Sequence, residues 1–292
     1  MKYFTLNNGN KIPAISVIGT GTQWFNKERK VLNTKLVDQI CHALSLPGMV
    51  HIDTAQFYGT YPELAEALKK TDKPRDQIWI TDKYSKQSVN AKAALDESLK
   101  ILGIDYIDLY LDHFPFYPPG SNGSVETDWK YFEEVYKEGK AKNIGVSNYS
   151  TADFDKLLPV AEIKPCVNQI EFSALLQNQS PGIYDYCAKH NILIEAYSPL
   201  GPLKSIGDDS FYDYIDKLSK KYGKSKGLIL LRWVYQRGVL PVTTSSNPGR
   251  ITESNTIFEF ELDDDEVNEI SKLGEDHKTL RQYWIPEYGH ND

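Results

Sequence analysis

The segment Ile78-Trp-Ile-Thr-Asp-Lys83 is followed by Ala91-Lys-Ala-Ala-Leu-Asp-Glu-Ser-Leu-Lys-Ile-Leu102 and then by Tyr106-Ile-Asp-Leu-Tyr-Leu-Asp-His113. The first and third pieces are short and largely apolar, as expected of strands that are covered on both faces. In the middle piece, Leu95 and Leu99 recur at helical spacing, which indicates a helix with one apolar face. A strand, a helix and a second strand in this order predict a parallel β/α unit.

The same alternation of strand and helix continues along the chain. Amphipathic patterns, for example at 36–46, 129–138 and 211–221, separate strand-like runs. The predicted strands span 15–19, 51–54, 78–83, 106–113, 144–147, 167–172, 192–198 and 239–244. A turn signal at Asn8-Gly9 between two short strand-like runs predicts a hairpin before them. The sequence therefore predicts an α/β fold, a (β/α)8 TIM barrel with an N-terminal β-hairpin, in a single domain over residues 1–292.

Composition and charge argue against several classes of protein. The net charge of −7 disfavours a nucleic-acid partner, which requires a basic face. No apolar run approaches the ~20 residues that a membrane helix needs, and the start of the chain lacks a signal-peptide pattern. Cys41, Cys166 and Cys187 lack C-x-x-C spacing and indicate free thiols in a reducing compartment. We therefore expect a cytoplasmic protein that binds no membrane, no nucleic acid and no metal.

Polar residues occur at or near the ends of seven predicted strands. In a β/α barrel the active site lies at the C-terminal ends of the strands. Taken singly, each residue has a structural explanation, such as a helix cap for Asp53 or a core histidine for His113. Their common position at one rim favours a functional site. These residues are Asp53, Lys83, His113, Ser147, Asn148, Gln169, Tyr197 and Ser245.

Four of the polar residues form a chemically complete unit for reduction of a carbonyl group. Tyr58 is a weak acid with an ordinary pKa of about 10. A nearby Lys83 ammonium is expected to lower that pKa, and Asp53 is expected to keep Lys83 charged. A neutral His113 can position the substrate oxygen. We therefore expect Tyr58 to act as the proton donor, and this is worth about 10²–10⁴-fold in rate.

Six segments, spread over nearly the whole chain, form a specific combination of motifs. They are His51-Ile-Asp-Thr-Ala-Gln-Phe-Tyr58, Ile80-Thr-Asp-Lys83, Tyr106-Ile-Asp-Leu-Tyr-Leu-Asp-His113, Gly139-Lys-Ala-Lys-Asn-Ile-Gly-Val-Ser-Asn148, Val167-Asn-Gln-Ile-Glu-Phe172 and Glu195-Ala-Tyr-Ser-Pro-Leu200. Together they resemble the aldo-keto reductase family. The resemblance implies that Asp53, Tyr58, Lys83 and His113 are the catalytic tetrad of an NADPH-dependent carbonyl reductase. Within the family, 176–179, 195–203 and 241–246 are similar to fungal α-keto amide reductases and conjugated polyketone reductases.

The resemblance also implies the contacts of the cofactor. One departure concerns the last phosphate-binding strand, where Thr244 stands at the position of the usual lysine while Ser245 and Arg250 remain. Arg250 can bind a 2′-phosphate, so NADPH is favoured over NADH. The implied cofactor residues are Gly21, Thr22, Asp53, Ser147, Asn148, Gln169, Tyr197, Ser198, Pro199, Leu200, Leu203, Thr244, Ser245, Ser246 and Arg250.

Aromatic residues are expected to wall a substrate pocket for activated ketones and aldehydes, including α-keto esters, α-keto amides, conjugated diketones and ketolactones. The expected substrate residues are Trp24, Phe57, Tyr58, His113 and Phe114, with Phe116, Tyr283 and Trp284 as further candidates. A cofactor-sensing binding protein on the same barrel, similar to potassium-channel β subunits, is the alternative. An unrelated barrel lyase or hydrolase is a third hypothesis, since one fold hosts many chemistries. We expect a monomer, with a dimer left open.

Overall fold

A computed structural model of the chain describes residues 2–15, 18–21, 31–86, 89–117, 123–204 and 207–289. The strands are β1 Tyr3–Thr5, β2 Lys11–Pro13, β3 Ile18–Gly19, β4 His51–Asp53, β5 Trp79–Tyr84, β6 Leu109–Asp112, β7 Ile144–Ser147, β8 Val167–Glu171, β9 Leu193–Tyr197 and β10 Leu240–Pro241. The helices are α1 Thr34–Ser45, α2 Tyr61–Lys70, α3 Ala91–Leu102, α4 Val125–Lys137, α5 Thr151–Leu157, α6 Ile183–Lys189, α7 Ser210–Tyr222, α8 Lys226–Gln236, α9 Pro248–Ser254, α10 Asp264–Asp276 and α11 Ile285–Tyr288.

Strands β3 to β10 form one parallel sheet in which the spatial order follows the chain order. The first and last strands of this sheet adjoin, because the backbone N–H of Gly19 donates to the carbonyl of Thr243 at 3.1 Å. A Cβ at Gly19 would lie 3.2 Å from the same oxygen, so glycine permits this close approach. The predicted α/β barrel is thus confirmed.

Local sequence signals explain where the elements begin and end. Helix α3, for example, begins after Asn90, whose side chain accepts the backbone N–H of Ala93. It ends at Gly103, which adopts the left-handed conformation at φ 68°. Between these ends, Leu95 and Leu99 are buried against the barrel wall, as their spacing predicts.

The predicted hairpin is present and covers one end of the barrel. Strands β1 and β2 pair antiparallel, with Phe4 opposite Ile12. Buried Leu6 and Ile12 belong to the same apolar cluster as Leu109 and Leu240 of the barrel strands. Asn7 donates to the carbonyl of Pro165, just before β8, so the hairpin lies against the N-terminal ends of the strands. The opposite end of the barrel remains available for a site.

Several strands are shorter than predicted. The run predicted over 106–113 forms a strand at Leu109–Asp112, and Ile107 before it makes only an isolated bridge to Ala141. At Asp108, the side-chain carboxylate accepts the backbone N–H of Ile80 and forms an ion pair with Arg75. The run over 239–244 pairs at Leu240–Pro241. In the first predicted strand, positions 16 and 17 lie outside the described residues. Among the helices that the structure describes, none is both long and apolar enough to cross a bilayer.

Candidate active site

Four side chains from neighbouring β/α units converge at the C-terminal end of the barrel. Asp53 is the last residue of β4, and Lys83 is the penultimate residue of β5. His113 directly follows β6. Tyr58 ends a short 3-10 turn after β4, and its ring meets that of His113 edge-on at 5.7 Å between centroids. The structure thus brings together the four residues that the sequence predicts as the tetrad.

The Lys83 ammonium lies at the centre of this group and is fully buried. Its Nζ donates to Asp53 Oδ1 at 2.7 Å, to the carbonyl oxygen of Thr54 at 2.9 Å and to the Tyr58 hydroxyl oxygen at 3.5 Å. An ammonium group has three donors, so these three acceptors account for all of them. Because Tyr58 accepts from Lys83, its own O–H hydrogen is left to be donated elsewhere.

The charges of these groups follow from burial and from their neighbours. Burial alone would lower the pKa of Lys83, but Asp53, Tyr58 and Glu195 together outweigh burial and raise it, so Lys83 stays charged. Burial raises the pKa of Tyr58, and the opposing effect of Lys83 is smaller. Lys83 thus has the expected lowering effect on the pKa of Tyr58, but burial, which the sequence does not show, outweighs it. Tyr58 holds its proton until a reaction requires it.

His113 is neutral in this environment. Burial first, and the Lys83 charge second, hold the pKa of His113 well below its usual value. A neutral imidazole carries one N–H donor and one acceptor nitrogen. Its Nδ1 lies 3.3 Å from the Ser85 hydroxyl oxygen. His113 can therefore hydrogen-bond to a carbonyl oxygen without bringing a second positive charge next to Lys83.

A row of amide and hydroxyl groups from β7 to β9 lies beside the tetrad. Asn148 has a left-handed backbone at φ 61° and donates through Nδ2 to the His113 carbonyl at 2.9 Å. The Tyr197 hydroxyl donates to Asn148 Oδ1 at 2.9 Å. The Ser147 hydroxyl donates to the backbone carbonyl of Gln169 at 2.7 Å. These bonds fix the orientation of the polar residues that the sequence predicts around a nicotinamide.

The sequence-based interpretation gave Glu195 no individual role, although it lies inside the barrel against the tetrad. Gln169 Nε2 donates to Asp53 Oδ2 at 2.8 Å and to Glu195 Oε2 at 2.7 Å. Burial raises the pKa of Glu195 to about 8, and the Asp53 carboxylate contributes to the increase. The alternation of inward and outward residues along β9 could have indicated this position, since Glu195 precedes Tyr197 by two residues.

One large cavity, of about 590 Å³, opens over these groups. It is lined by three residues of the tetrad, Asp53, Tyr58 and His113, and by part of the predicted cofactor site. Its lining also includes Lys204, an exposed cation to which the sequence interpretation assigned no role. The predicted residues that line it are Gly21, Asp53, Phe57, Tyr58, His113, Phe114, Ser147, Asn148, Gln169, Tyr197, Ser198, Pro199, Leu200, Thr244, Tyr283 and Trp284, and further lining residues are Gly19, Gly201, Lys204, Val242 and Thr243.

Four predicted cofactor residues do not line this cavity. Leu203 is half-buried and packs against the hydrophobic core. Ser245, Ser246 and Arg250 belong to the turn after Thr244 and the start of α9, where Ser246 and Arg250 are exposed. The Thr244 hydroxyl accepts from Gln39 Nε2 at 2.8 Å. Two other predicted residues, Thr22 and Trp24, lie outside the described residues.

Gly21 has a neighbour that the sequence does not indicate. A Cβ at Gly21 would lie 2.9 Å from Cζ and 3.0 Å from Cε2 of the Tyr58 ring. Such distances are shorter than carbon atoms normally tolerate, so the absent side chain makes room for the phenol. Gly21, which the resemblance implies as a cofactor residue, thus also permits the close approach of Tyr58.

The C-terminal segment forms an aromatic wall over the cavity. The ring of Trp284 lies 5.2 Å from Phe114 and 5.1 Å from Phe116, measured between centroids. Glu171, at the end of β8, anchors this segment because its carboxylate accepts the backbone N–H groups of Gln282 and Tyr283 at 2.9 and 3.1 Å. These contacts place an apolar wall beside His113.

Comparison with known proteins places this arrangement in a family. A model of the Aldo/keto reductase family matches residues 17–275. The chain is 55% identical to the NADPH-dependent alpha-keto amide reductase of Saccharomyces cerevisiae, over 99% of this chain and 96% of that protein. It is 38% identical to the NAD/NADP-dependent indole-3-acetaldehyde reductase of Schizosaccharomyces pombe, over 92% and 94% of the two chains. A Bombyx mori aldo-keto reductase solved in complex with NADP has a TM-score of 0.85 and 29% identity, over 99% of this chain and 98% of that one.

Proposed function

The chain belongs to the aldo/keto reductase family, and on this basis we propose that it is an NADPH-dependent reductase of activated ketones and aldehydes, with Tyr58 as general acid. The observation that carries the proposal is the position of Lys83, whose ammonium contacts both Asp53 and the Tyr58 hydroxyl at the cavity. This arrangement holds a charged lysine against a neutral phenol, as transfer of a proton to an alkoxide requires.

The cavity lining fits a nicotinamide dinucleotide. Amide and hydroxyl groups lie beside the Tyr58 phenol, and Lys204 lines the same cavity. When bound, NADPH supplies the hydride. The protein's contribution is to hold the carbonyl group at attack distance and to supply the proton.

Each tetrad residue then has a defined task. Tyr58 donates its O–H hydrogen to the oxygen of the reacting carbonyl as negative charge develops there. Lys83 stabilises the phenolate that remains, and Asp53 holds Lys83 in place at 2.7 Å. His113 donates a hydrogen bond to the same carbonyl oxygen and fixes its orientation.

The proposed cofactor contacts form three groups. Ser147, Asn148 and Gln169 bind the carboxamide of the nicotinamide, and Tyr197 stacks on its ring. The segment from Ser198 to Leu203 binds the pyrophosphate. Gly21 and Thr22 are assigned to the nicotinamide end, on the family resemblance alone.

The adenosine phosphate is the part in which this chain departs from the family pattern, because Thr244 replaces the usual lysine. We assign the 2′-phosphate to Ser245 and Ser246, in the turn after Thr244, and to Arg250, in the first turn of α9. Lys204 supplies a further cation for the cofactor phosphates, since it is exposed and lines the cavity. Arg250 and Lys204 would then supply positive charge to the cofactor phosphates in place of the lysine that Thr244 replaces.

The substrate class follows from the aromatic wall and from the relatives. Phe57, Phe114 and Trp284 line the cavity with apolar surface next to His113. The relative at 55% identity is named for reduction of alpha-keto amides. We assign α-keto amides, α-keto esters, conjugated diketones and ketolactones as substrates, because a neighbouring carbonyl activates the reacting one.

We further propose that residues 1–292 form a single domain, that the protein is a monomer and that it works in the cytoplasm. Cys41, Cys166 and Cys187 are free thiols, which supports a reducing compartment. Within the described residues, no group of three or more His, Cys, Asp or Glu side chains is placed to hold a metal ion.

Two measurements on the full chain test the proposed function. The first is titration with NADPH and NADH, followed by quenching of the five tryptophans. The second is loss of reduced-cofactor absorbance on addition of an aromatic α-keto amide. Tight NADPH binding with ketone-dependent oxidation supports the proposal. Binding without turnover of any activated carbonyl would favour a cofactor-sensing protein, and absence of binding would overturn both functions.

A further inference from the structure

The Ser85 hydroxyl contacts Nδ1 of the His113 ring. Ser85 follows β5, two residues after Lys83, and it is buried. Its hydroxyl oxygen lies 3.3 Å from His113 Nδ1. The remaining ring nitrogen, Nε2, is then the one available to a substrate in the cavity that His113 lines.

The reaction requires one particular tautomer of His113. A neutral imidazole has a hydrogen on one nitrogen only, and the partner of the other nitrogen decides which one. To donate to a carbonyl oxygen from Nε2, His113 must have no hydrogen on Nδ1. The unprotonated Nδ1 is then a hydrogen-bond acceptor, and a serine hydroxyl can donate to it.

We propose that Ser85 is a positioning residue that sets the tautomer of His113 by donating its O–H to Nδ1, so that the single imidazole hydrogen lies on Nε2. This inference rests on the proposed function, since it assigns a donor role to His113. In the part of the chain that the structure describes, no second polar group is hydrogen-bonded to the His113 ring. The rings of Tyr58 and Phe114 are its aromatic neighbours.

The surrounding structure holds Ser85 in place. Its backbone N–H donates to Gln56 Oε1 at 3.2 Å. The next residue, Lys86, has a left-handed backbone at φ 52°, which a lysine rarely adopts.

An ion-pair cluster fixes that unusual turn. Lys86 Nζ donates to Asp112 Oδ2 at 2.7 Å and to Asp128 Oδ2 at 2.9 Å. Asp112 directly precedes His113, so the Lys86–Asp112 ion pair joins the loop that carries Ser85 to the loop that carries His113. Both loops are therefore fixed relative to each other where the serine meets the imidazole.

The test is a double-mutant cycle in the full-length protein. Ser85→Ala is expected to lower kcat/KM for an activated ketone about ten-fold, as for loss of one hydrogen bond, without changing the Kd of NADPH. Ser85→Thr keeps the hydroxyl and is expected to keep most of the activity. In a His113→Ala background, Ser85→Ala should have no further effect, because its target is absent.

A purely structural role would give a different result. Ser85→Ala would then lower activity equally with and without His113, and that outcome would overturn the proposal. Unchanged activity of Ser85→Ala would also overturn it, provided that His113→Ala loses activity. If instead the wild type reduces no activated carbonyl, or His113→Ala stays fully active, the proposed function fails.

A ¹⁵N NMR measurement of the His113 side chain tests the tautomer directly and does not depend on turnover. The wild type is expected to show a protonated Nε2 and an unprotonated Nδ1. Ser85→Ala should give a mixture of the two tautomers, and Ser85→Thr should restore the wild-type signals. A protonated Nδ1 in the wild type, or identical spectra for wild type and Ser85→Ala, would contradict the inference.

Discussion

Gln169 and Asp53 lie on strands that are not neighbours in the sheet, yet Gln169 Nε2 donates to Asp53 Oδ2 at 2.8 Å across the barrel interior. The other Asp53 oxygen accepts from Lys83 at 2.7 Å. The Asp53 carboxylate therefore links Lys83, of the proposed acid unit, to Gln169, which we propose binds the nicotinamide carboxamide. Because Gln169 Nε2 donates to the carboxyl groups of both Asp53 and Glu195, its carbonyl oxygen is left to accept from the cofactor amide.

The buried carboxyl of Glu195 predicts a specific dependence of stability on pH. Burial raises its pKa to about 8, whereas an unfolded glutamate titrates near 4.3. Between these values the folded protein holds a proton that the unfolded chain releases, so this group makes the free energy of unfolding fall as pH rises. The slope is at most about 1.4 kcal/mol per pH unit.

Glu195→Gln removes the titratable carboxyl group while keeping the shape of the side chain. Urea unfolding of both proteins at pH 5.5 and pH 7.5 should show the variant gaining stability relative to wild type at the higher pH. The same difference in stability at both pH values would show that Glu195 is not protonated in the native state.

Gly21→Ala is expected to displace the proposed acid. The new methyl group would lie 2.9 Å from Tyr58 Cζ, so the phenol ring must shift. Since a displacement of about 1 Å at a reacting group can cost about 10²-fold, we predict a loss of kcat of at least about ten-fold. Gly227→Ala is the matched control, because its Cβ would meet no atom closer than 3.7 Å. Equal kcat for both variants would show that the phenol position tolerates the shift.

Arg250 and Lys204 are expected to contribute to different parts of cofactor binding. Loss of a charge-assisted hydrogen bond to phosphate costs about 1.5–3 kcal/mol, or roughly 10- to 150-fold in Kd. Arg250→Ala should weaken NADPH by this factor and leave NADH nearly unchanged, whereas Lys204→Ala should weaken both. Lys220→Ala, an exposed lysine in α7, is the control. If Arg250→Ala weakens the binding of NADPH and NADH equally, Arg250 does not bind the 2′-phosphate.

Trp284 is expected to determine preference for aromatic substrates. Its ring packs on Phe114 and Phe116 and lines the cavity. Trp284→Ala should raise the KM of an aromatic α-keto amide about ten-fold, in line with the loss of aromatic contact, and change that of ethyl pyruvate little. Its Kd for NADPH should stay the same. An equal increase of the KM for the aromatic α-keto amide and for ethyl pyruvate would show that Trp284 supports the fold of the C-terminal segment and does not determine substrate preference.

The sequence predicted most of what depends on position along a strand. Asp53, Lys83 and His113 follow apolar runs, and strand ends in a parallel barrel meet at one rim, so their proximity could be predicted. The contact of Glu195 with Gln169 could not be predicted from the sequence, because it depends on which side chains meet inside the barrel. The Ser85–His113 contact depends on a left-handed turn at Lys86, which no residue type at that position signals.

Other differences have an equally local cause. The net direction of the Tyr58 pKa shift could not be predicted, because the sequence shows a nearby cation but not the extent of burial. The contact of Gly21 with Tyr58 could not be predicted, because it depends on how the turn after the neighbouring strand β4 places the phenol ring. Contacts of this kind require coordinates, since they join residues that neither spacing nor pattern relates.

The most direct test of the central claim is Tyr58→Phe, which removes one oxygen from the ring that Lys83 contacts. Turnover of an activated ketone is measured together with the Kd of NADPH by tryptophan quenching. The proposed mechanism predicts that kcat falls by at least about 10²-fold while the Kd changes by less than about two-fold, because the hydroxyl is the acid and makes no phosphate contact. Retention of wild-type kcat in this variant would contradict the assignment of Tyr58 as the proton donor.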